Sequence, residues 1–230
     1  MESRKLALVS GASSGIGKAI ALRLLSLGYS VLGLSRTSSI SDENYEHYKV
    51  DLSEENQTAL LCQELKKKDV FILINAAGFG KFEPHEELSS KTIIDMTFLN
   101  LTAPLLLTNA TLRSLKADDG YLININSIEA IRASKFAAVY SATKAGLKAF
   151  SDALFEETRK SGLSITNINP DMTESAFYND LRFDVSKKEN EKLLSEDIAD
   201  SVEHILRMRK GAVVSDYTIR SLNFGISKKK

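Results

Sequence analysis

Lys5–Leu27, KLALVSGASSGIGKAIALRLLSL, is the stretch around which the rest of the chain is organised. Leu6, Ala7, Leu8 and Val9 form a short apolar run of the kind a parallel strand buried on both faces requires. Gly11, Gly15 and Gly17 follow. An apolar pattern at helical spacing comes next, Ile16, Ile20, Leu24 and Leu27, with Ala19 and Ala21 between. The stretch therefore predicts a strand, a glycine-rich turn and a helix, the front half of a βαβ unit. Glycines let a backbone approach a pyrophosphate, and a helix N-terminus offers free N–H groups and a positive dipole end. The spacing is G-x-x-x-G-x-G rather than the commoner G-x-G-x-x-G. Taken alone, it suits a ligand-free tight turn as well as a phosphate cradle.

Further along, Ser30–Ser35 predicts a second strand, followed by a hydroxyl-rich loop at Arg36–Ser39. Glu46–Leu52 predicts a third, with Asp51 at its end. Ser53 reads as the N-cap of a helix to about Lys67, with Glu54 and Glu55 suited to its first turn. Val70–Ile74 is a buried strand running into Asn75-Ala76-Ala77-Gly78. One or two helices cover Ser90–Leu115, a strand covers Tyr121–Ile125, and a long helix runs from Val139 to about Lys160. Ser164–Ile168 is a strand ending at Asn169-Pro170. Asp171 to about Lys192 is polar and weakly periodic, and is expected to be a mobile segment with some helix that serves as a substrate lid. A helix from Ser195 and Asp197 to Met208 follows, with a last strand at Ala212–Val214 or Tyr217–Leu222.

This alternation, without internal repeat or domain-sized linker, predicts an α/β fold. It is a single Rossmann-type, doubly wound parallel sheet with helices on both faces, one domain over residues 1–230. Ligands bind such sheets at the C-terminal strand ends, near the reversal of strand order. Ser35-Arg36, Asp51, Asn75, Ser127 and Asn169 fall at those ends.

Composition narrows the field. Thirty basic residues balance thirty acidic ones, so nothing points to nucleic acid or an anionic membrane surface. Cys62 is the only cysteine, reads as a small core residue on a helix, and leaves no intramolecular disulfide. The start, MESRK, lacks an apolar signal region, and no run approaches ~18 apolar residues. A cytoplasmic location is the expectation. His47, His85 and His204 have no ligand spacing, so no metal site is predicted. Arg132 reads as a solvated loop arginine that can alternatively meet an anionic substrate.

Tyr140-Ser141-Ala142-Thr143-Lys144 is the second informative stretch. On a helix Tyr140 and Lys144 share a face. An ammonium near a phenol favours phenolate, lowering the tyrosine pKa from about 10 toward working pH. Such a tyrosine can give a proton to a carbonyl oxygen or take one from an alcohol. The pair alone also suits a solvated helix face.

The constellation Gly11/Gly15/Gly17, Asn75–Gly78, Asn100, Ser127, Tyr140 and Lys144, in that order, resembles the short-chain dehydrogenase/reductase family from Lys5 to about Asn223. The family's glycine motif matches Ser10–Gly17, and its N-A-G signature matches Asn75, Ala76 or Ala77, and Gly78. The resemblance implies Tyr140 as general acid or base, and Ser127 as hydrogen-bond partner of the substrate oxygen. It implies Lys144 as ligand of the nicotinamide ribose, and Asn100 as backbone anchor of a water leading from Lys144 to solvent. It further implies a cofactor site made of Gly11, Ser13, Ser14, Gly15, Ile16, Gly17, Ser35, Arg36, Asp51, Leu52, Asn75, Ala76, Ala77, Gly78, Tyr140, Lys144, Pro170 and Thr173. Ser35 stands about twenty residues past the glycines, where an NAD-preferring site needs a carboxylate, and Arg36 follows it. That favours NADP(H), with Ser35, Thr37 and Ser38 as further donors, although Ser14 stands where many NADP-preferring members carry a basic residue. Pro170 is followed by Asp171 instead of the family's usual glycine, and Asn126 replaces a common serine.

Leu105, Leu106, Leu107, Leu147, Phe150 and Leu154 read as core, on helices that often pair between subunits in this family, so a homodimer or homotetramer is expected. The expected activity is hydride transfer between NADP(H) and a small carbonyl or alcohol. The alternative is a dinucleotide-binding regulatory or scaffold protein without turnover. The retained Tyr140 and Lys144 favour the first.

Overall fold

The structure, a computed structural model, describes residues 4–229. Its strands are β1 (Leu6–Ser10), β2 (Ser30–Ser35), β3 (Tyr45–Lys49), β4 (Val70–Asn75), β5 (Tyr121–Ile125), β6 (Ser164–Pro170), β7 (Phe183–Val185), β8 (Asp216–Ile219) and β9 (Ile226–Lys228). Its helices are α1 (Gly15–Ser26), α2 (Glu55–Leu65), α3 (Ser90–Thr97), α4 (Ala103–Ala117), α5 (Ala138–Thr158) and α6 (Ser195–Leu206). Seven strands form one parallel sheet in the order β3-β2-β1-β4-β5-β6-β8. The order reverses between β1 and β4, so the glycine turn after β1 and the Asn75–Gly78 loop after β4 flank the crevice where such sheets bind ligands.

Both sheet faces are covered, which is why the strands are apolar throughout rather than alternating. On one face Ala7, Val9, Ile72 and Ile74 pack against Ile20 and Leu24 of α1 and Ile198 and Val202 of α6. On the other, Leu8, Leu32, Leu73 and Leu122 meet Leu61 and Leu65 of α2, Leu107 of α4 and Leu154 of α5. Each such buried side chain contributes roughly 1.5–3 kcal/mol. Arg23 ties α1 to α6 through Glu203 at 2.6 Å and through Asp200.

Several element ends differ from the sequence reading. β3 stops at Lys49, because Asp51 N–H leaves the ladder for Gln57 Oε1 at 3.0 Å. Ser53 does not cap α2: its N–H and Oγ both donate to Asp51 Oδ1, at 3.0 and 2.6 Å, and Glu54 occupies the cap position. The last sheet strand is β8, overlapping only the second of the two expected spans.

The Ser90–Leu115 region is α3 and α4 joined without a break by a π-helical turn, Phe98–Thr102. Pro104 accounts for the irregularity: it has no N–H to give the carbonyl of Asn100, its i−4 neighbour. By length and composition the stretch Ser90–Ala117 could cross a membrane. In this fold Met96, Ala103, Leu107, Ala110 and Leu115 are buried.

The expected mobile segment carries defined structure. Short 3-10 turns occur at Ala176–Tyr178 and Glu189–Glu191, and β7 pairs antiparallel with β9 at Phe183↔Lys228 and Val185↔Ile226. Lys229 Nζ donates to the carbonyls of Tyr178 and Asn179, fastening this segment to the C-terminal strand. A three-residue strand and two short turns give no periodicity to read, and their partner strand is some forty residues away.

Candidate active site

A cleft of about 540 Å³ opens at the C-terminal ends of β1, β2 and β4. Its lining contains Gly11, Ser13, Ser14, Gly15, Ile16, Gly17, Ser35, Arg36, Asp51, Leu52, Ala76, Ala77 and Gly78 from the expected cofactor set. The glycines are there for close approach. Gly11 has φ +72°, and a Cβ on it would lie 2.9 Å from Ala77 N. A Cβ on Gly17 would lie 2.3 Å from the Gly11 carbonyl oxygen. The buried Ser10 hydroxyl accepts from Ala76 N at 3.0 Å and Ala77 N at 3.1 Å, fixing the two loops side by side. The N-terminus of α1 has no side-chain cap and no acidic residue in its first turn. Its N–H groups are thus available to an anion, and this loop fits the pyrophosphate of a nicotinamide dinucleotide.

At the far end of the cleft, Arg36 is well exposed, with Nη1 4.0 Å from Asp51 Oδ2. Partial burial pushes the Asp51 carboxyl up, but hydrogen bonds from Ser53 and the Arg36 charge outweigh it and hold the group below its usual range. Ser35 does not supply the spare donor expected of it. Its hydroxyl donates to Thr37 O at 2.7 Å and faces His47 Nε2 at 3.2 Å.

Asn75, Pro170 and Thr173 lie off the cleft wall. Asn75 is buried, donating to Asn124 Oδ1 at 2.8 Å, and Thr173 Oγ1 donates to Asp171 O at 2.9 Å. A smaller hollow of about 150 Å³, bordered by Phe71, Tyr121 and Arg209, contains none of the expected site residues.

Asn100, Ser127, Tyr140 and Lys144 come together beside the cleft. Asn100, fully buried in the π turn, donates to Phe79 O at 2.8 Å and accepts from Phe79 N at 3.0 Å. A Cβ on Gly78 would meet Asn100 Oδ1 at a tight 3.0 Å and Lys144 Nζ at 3.7 Å, an ordinary contact, so this loop lies close against both. Lys144 is buried, donates to Ile125 O at 2.9 Å, and lies 5.8 Å from the centre of the Tyr140 ring. Burial pulls its pKa down to about 8.

Tyr140 departs from the sequence expectation. Burial raises its phenol well above the ordinary value, nearby Tyr178 and Glu129 push the same way, and the Ser127 hydroxyl beside it opposes them. Burial thus favours the neutral phenol over the phenolate, while Lys144 donates to a backbone carbonyl.

The neighbours that sequence reasoning missed are aromatic and acidic. Phe82 and Phe177 lie against the Tyr140 ring, with centroids 5.4 and 5.8 Å away. Buried Glu129 accepts from Ser134 N, Ser134 Oγ and Ser141 Oγ at 2.6–2.9 Å. Arg132 is not merely solvated: it lies 3.6 Å from both Glu129 and Asp171. Asp171, buried where a glycine was expected, also accepts from Arg220 Nε at 3.1 Å, so its charge is matched. Arg220 follows β8, too remote in sequence to be foreseen as its partner. Of the apolar residues read on α4 and α5, Leu107, Leu147 and Leu154 are in the core, while Leu106 is exposed. Cys62 is half-buried against the α2 side of the core.

A doubly wound sheet with a glycine-rich crevice and a buried Tyr/Lys pair at its edge defines a dinucleotide-binding α/β protein. The chain matches the model of the short chain dehydrogenase family over residues 5–205, and it belongs to that family, as an oxidoreductase. It is 30% identical to an uncharacterized oxidoreductase of Staphylococcus saprophyticus over 230 residues, covering 94% of this chain and 97% of that protein. Among solved structures it is similar to an alcohol dehydrogenase from the archaeon Thermococcus sibiricus complexed with 5-hydroxy-NADP (TM-score 0.83, 24% identity, 96% and 97% of the two chains). It is equally similar to a 4-hydroxyisoleucine dehydrogenase complexed with NADH (TM-score 0.83, 24% identity, 95% and 98%).

Proposed function

We propose that this protein is an NADP(H)-dependent oxidoreductase moving a hydride between the nicotinamide and a small carbonyl or alcohol. One observation carries the reading: Asn100 of the π turn, Ser127 after β5, and Tyr140 and Lys144 of α5 converge where the glycine cleft ends. The solved relatives bound to NADP- and NADH-type cofactors support a nicotinamide ligand. In this reading residues 11–17 hold the pyrophosphate, Arg36, with Ser35 beside it, the adenosine 2′ side, and Asp51, Leu52 and 76–78 the neighbouring wall, with Asn75 buried behind it. Tyr140, Lys144, Pro170 and Thr173 stand at the nicotinamide end. When bound, the reduced cofactor supplies the hydride.

Tyr140 is the general acid. A neutral, buried phenol has the proton that a carbonyl oxygen needs in the transition state. Ser127 donates to the same oxygen and stabilises its developing charge. Lys144, with a pKa of about 8, is charged at neutral pH; turned from Ile125 O toward the ribose and phenol, it favours loss of the tyrosine proton. Pro104 gives the carbonyl of Asn100 no α-helical N–H, and in this reading that carbonyl holds a water behind Lys144. Arg36 supports NADP(H) over NAD(H), because a guanidinium fork suits a 2′-phosphate that a carboxylate would repel. We place the protein in the cytoplasm as a homodimer or homotetramer.

The test is loss of reduced-nicotinamide absorbance from NADPH against aldehydes, ketones, diketones, quinones and pterins. Turnover of at least one carbonyl is expected. NADPH binding with no turnover of any would leave the non-catalytic dinucleotide-binding reading instead.

A further inference from the structure

Tyr140 is only 7% exposed because two phenylalanines cover it. Phe82 comes from the loop after β4 and Phe177 from the turn before β7; their rings are tilted 53° and 58° to that of Tyr140. The two rings meet each other edge-on at 6.4 Å, and Phe183 of β7 closes on Phe82 at 5.3 Å. Gly80 lies against both: a Cβ there would stand 2.6 Å from Phe177 and 2.7 Å from Phe82. Phe177 also lines the cofactor cleft. Any carbonyl that reaches the Tyr140 hydroxyl must part these rings, and the space it then occupies is walled by them.

The surface cations nearest this cluster already face carboxylates. Lys81 and Arg182 both sit on Glu83, at 3.1 and 3.8 Å. Arg132 lies between Glu129 and Asp171, and Arg220 lies on Asp171. An anionic substrate that drew Arg132 away would leave buried Glu129 without the one cation that faces it among the described residues, although Asp171 would keep Arg220.

We infer, on the hydride-transfer reading above, that the substrate is an uncharged carbonyl compound bearing an aromatic group, and that Phe82 and Phe177 set this preference. The ring of such a substrate replaces the mutual contacts of Phe82 and Phe177 with edge and face contacts of its own. Reduction balances: the carbonyl carbon gains the hydride from NADPH, the oxygen gains the Tyr140 proton, and alcohol and NADP⁺ leave.

The experiment compares three related carbonyls with the full chain and NADPH: ethyl benzoylformate, neutral with a ring; benzoylformate, the same ring with a carboxylate; and ethyl pyruvate, neutral without a ring. Expected kcat/KM for the aryl ester exceeds that for the anion ~100-fold, the cost of an unmatched charge, and that for ethyl pyruvate ~10-fold, the gain from ring contacts. In Phe82→Ala and Phe177→Ala the aryl-to-alkyl ratio should collapse toward one, carried by KM. Phe82→Leu, which keeps apolar volume, guards against misfolding. A uniform loss for both esters in variants that fold would make the rings a structural lid and overturn the inference, as would preferred reduction of benzoylformate. If no carbonyl is reduced, the hydride-transfer reading fails by itself. Saturation-transfer NMR with NADP⁺ present then decides the ligand class: binding of the aryl ester over its acid supports it, and the reverse, or no binding, overturns it.

Discussion

Replacing Lys144 by methionine should make the ligand-free protein more stable at neutral pH while removing activity. The lysine is buried, and burial brings its pKa from 10.5 down to about 8. At ~1.4 kcal/mol per tenfold change in proton affinity, carrying this charge inside the fold costs about 3 kcal/mol below pH 8. Methionine fills a similar volume without charge, but leaves Ile125 O without its 2.9 Å donor, which returns about 1 kcal/mol. The expected net gain is about 2 kcal/mol at pH 7. The sign with pH follows from the depressed value: between pH 8 and 10.5 the unfolded chain binds the proton and the folded one does not, so wild-type stability rises with pH through that window. Tyr140, displaced upward, contributes the opposite slope only above 10. Urea unfolding of both proteins across pH ~7 to ~10 reads this directly, because groups common to both cancel in the difference. The advantage of Lys144→Met should shrink as pH rises. A variant less stable than wild type at pH 7, or a difference constant with pH, would refute the reasoning.

Other expectations concern the cleft and its surroundings. Arg36→Ala should weaken NADPH binding by ~1.5–3 kcal/mol with little effect on NADH, read as dissociation constants; equal weakening of both would count against the 2′-phosphate contact. Gly17→Ala drives a methyl to 2.3 Å from the Gly11 carbonyl and should abolish dinucleotide binding by calorimetry, with residual affinity near wild type as the contrary result. Asn100→Ala strands both backbone groups of Phe79 and should cost ~1–3 kcal/mol in a denaturant titration; no loss would mean the loop after β4 is held elsewhere. In hydrogen exchange, residues 171–192 should gain protection when NADPH and substrate bind, whereas equal, strong protection in both states would speak against a closing lid.

Much of this was legible in the chain because the signals are local. A buried parallel strand is apolar over its whole length, and β1, β2, β4 and β5 fell within a residue or two of where Leu6–Val9, Ser30–Ser35, Val70–Ile74 and Tyr121–Ile125 put them. The glycine turn and the Tyr140/Lys144 pair are set by spacing along a single element, so they too could be read. What escaped reading was set by contacts between distant segments. Asp171 is matched by Arg132 and Arg220, and β7 exists only because β9 pairs with it. Burial, to which Phe82 and Phe177 contribute, raises the pKa of the Tyr140 phenol, which spacing to Lys144 could not reveal. One missed feature did have a signal: Pro104, four residues past Asn100, marks the place where helical hydrogen bonding fails.

The most direct test of the account is Tyr140→Phe, measured for both NADPH affinity and single-turnover reduction of a carbonyl the wild type accepts. The substitution keeps the ring between Phe82 and Phe177 and removes only the hydroxyl. A positioned general acid contributes ~10²–10⁴-fold, so the chemical step should fall by that factor while NADPH binds as tightly as before. Reduction at near the wild-type rate would contradict the assignment of Tyr140 as the proton donor.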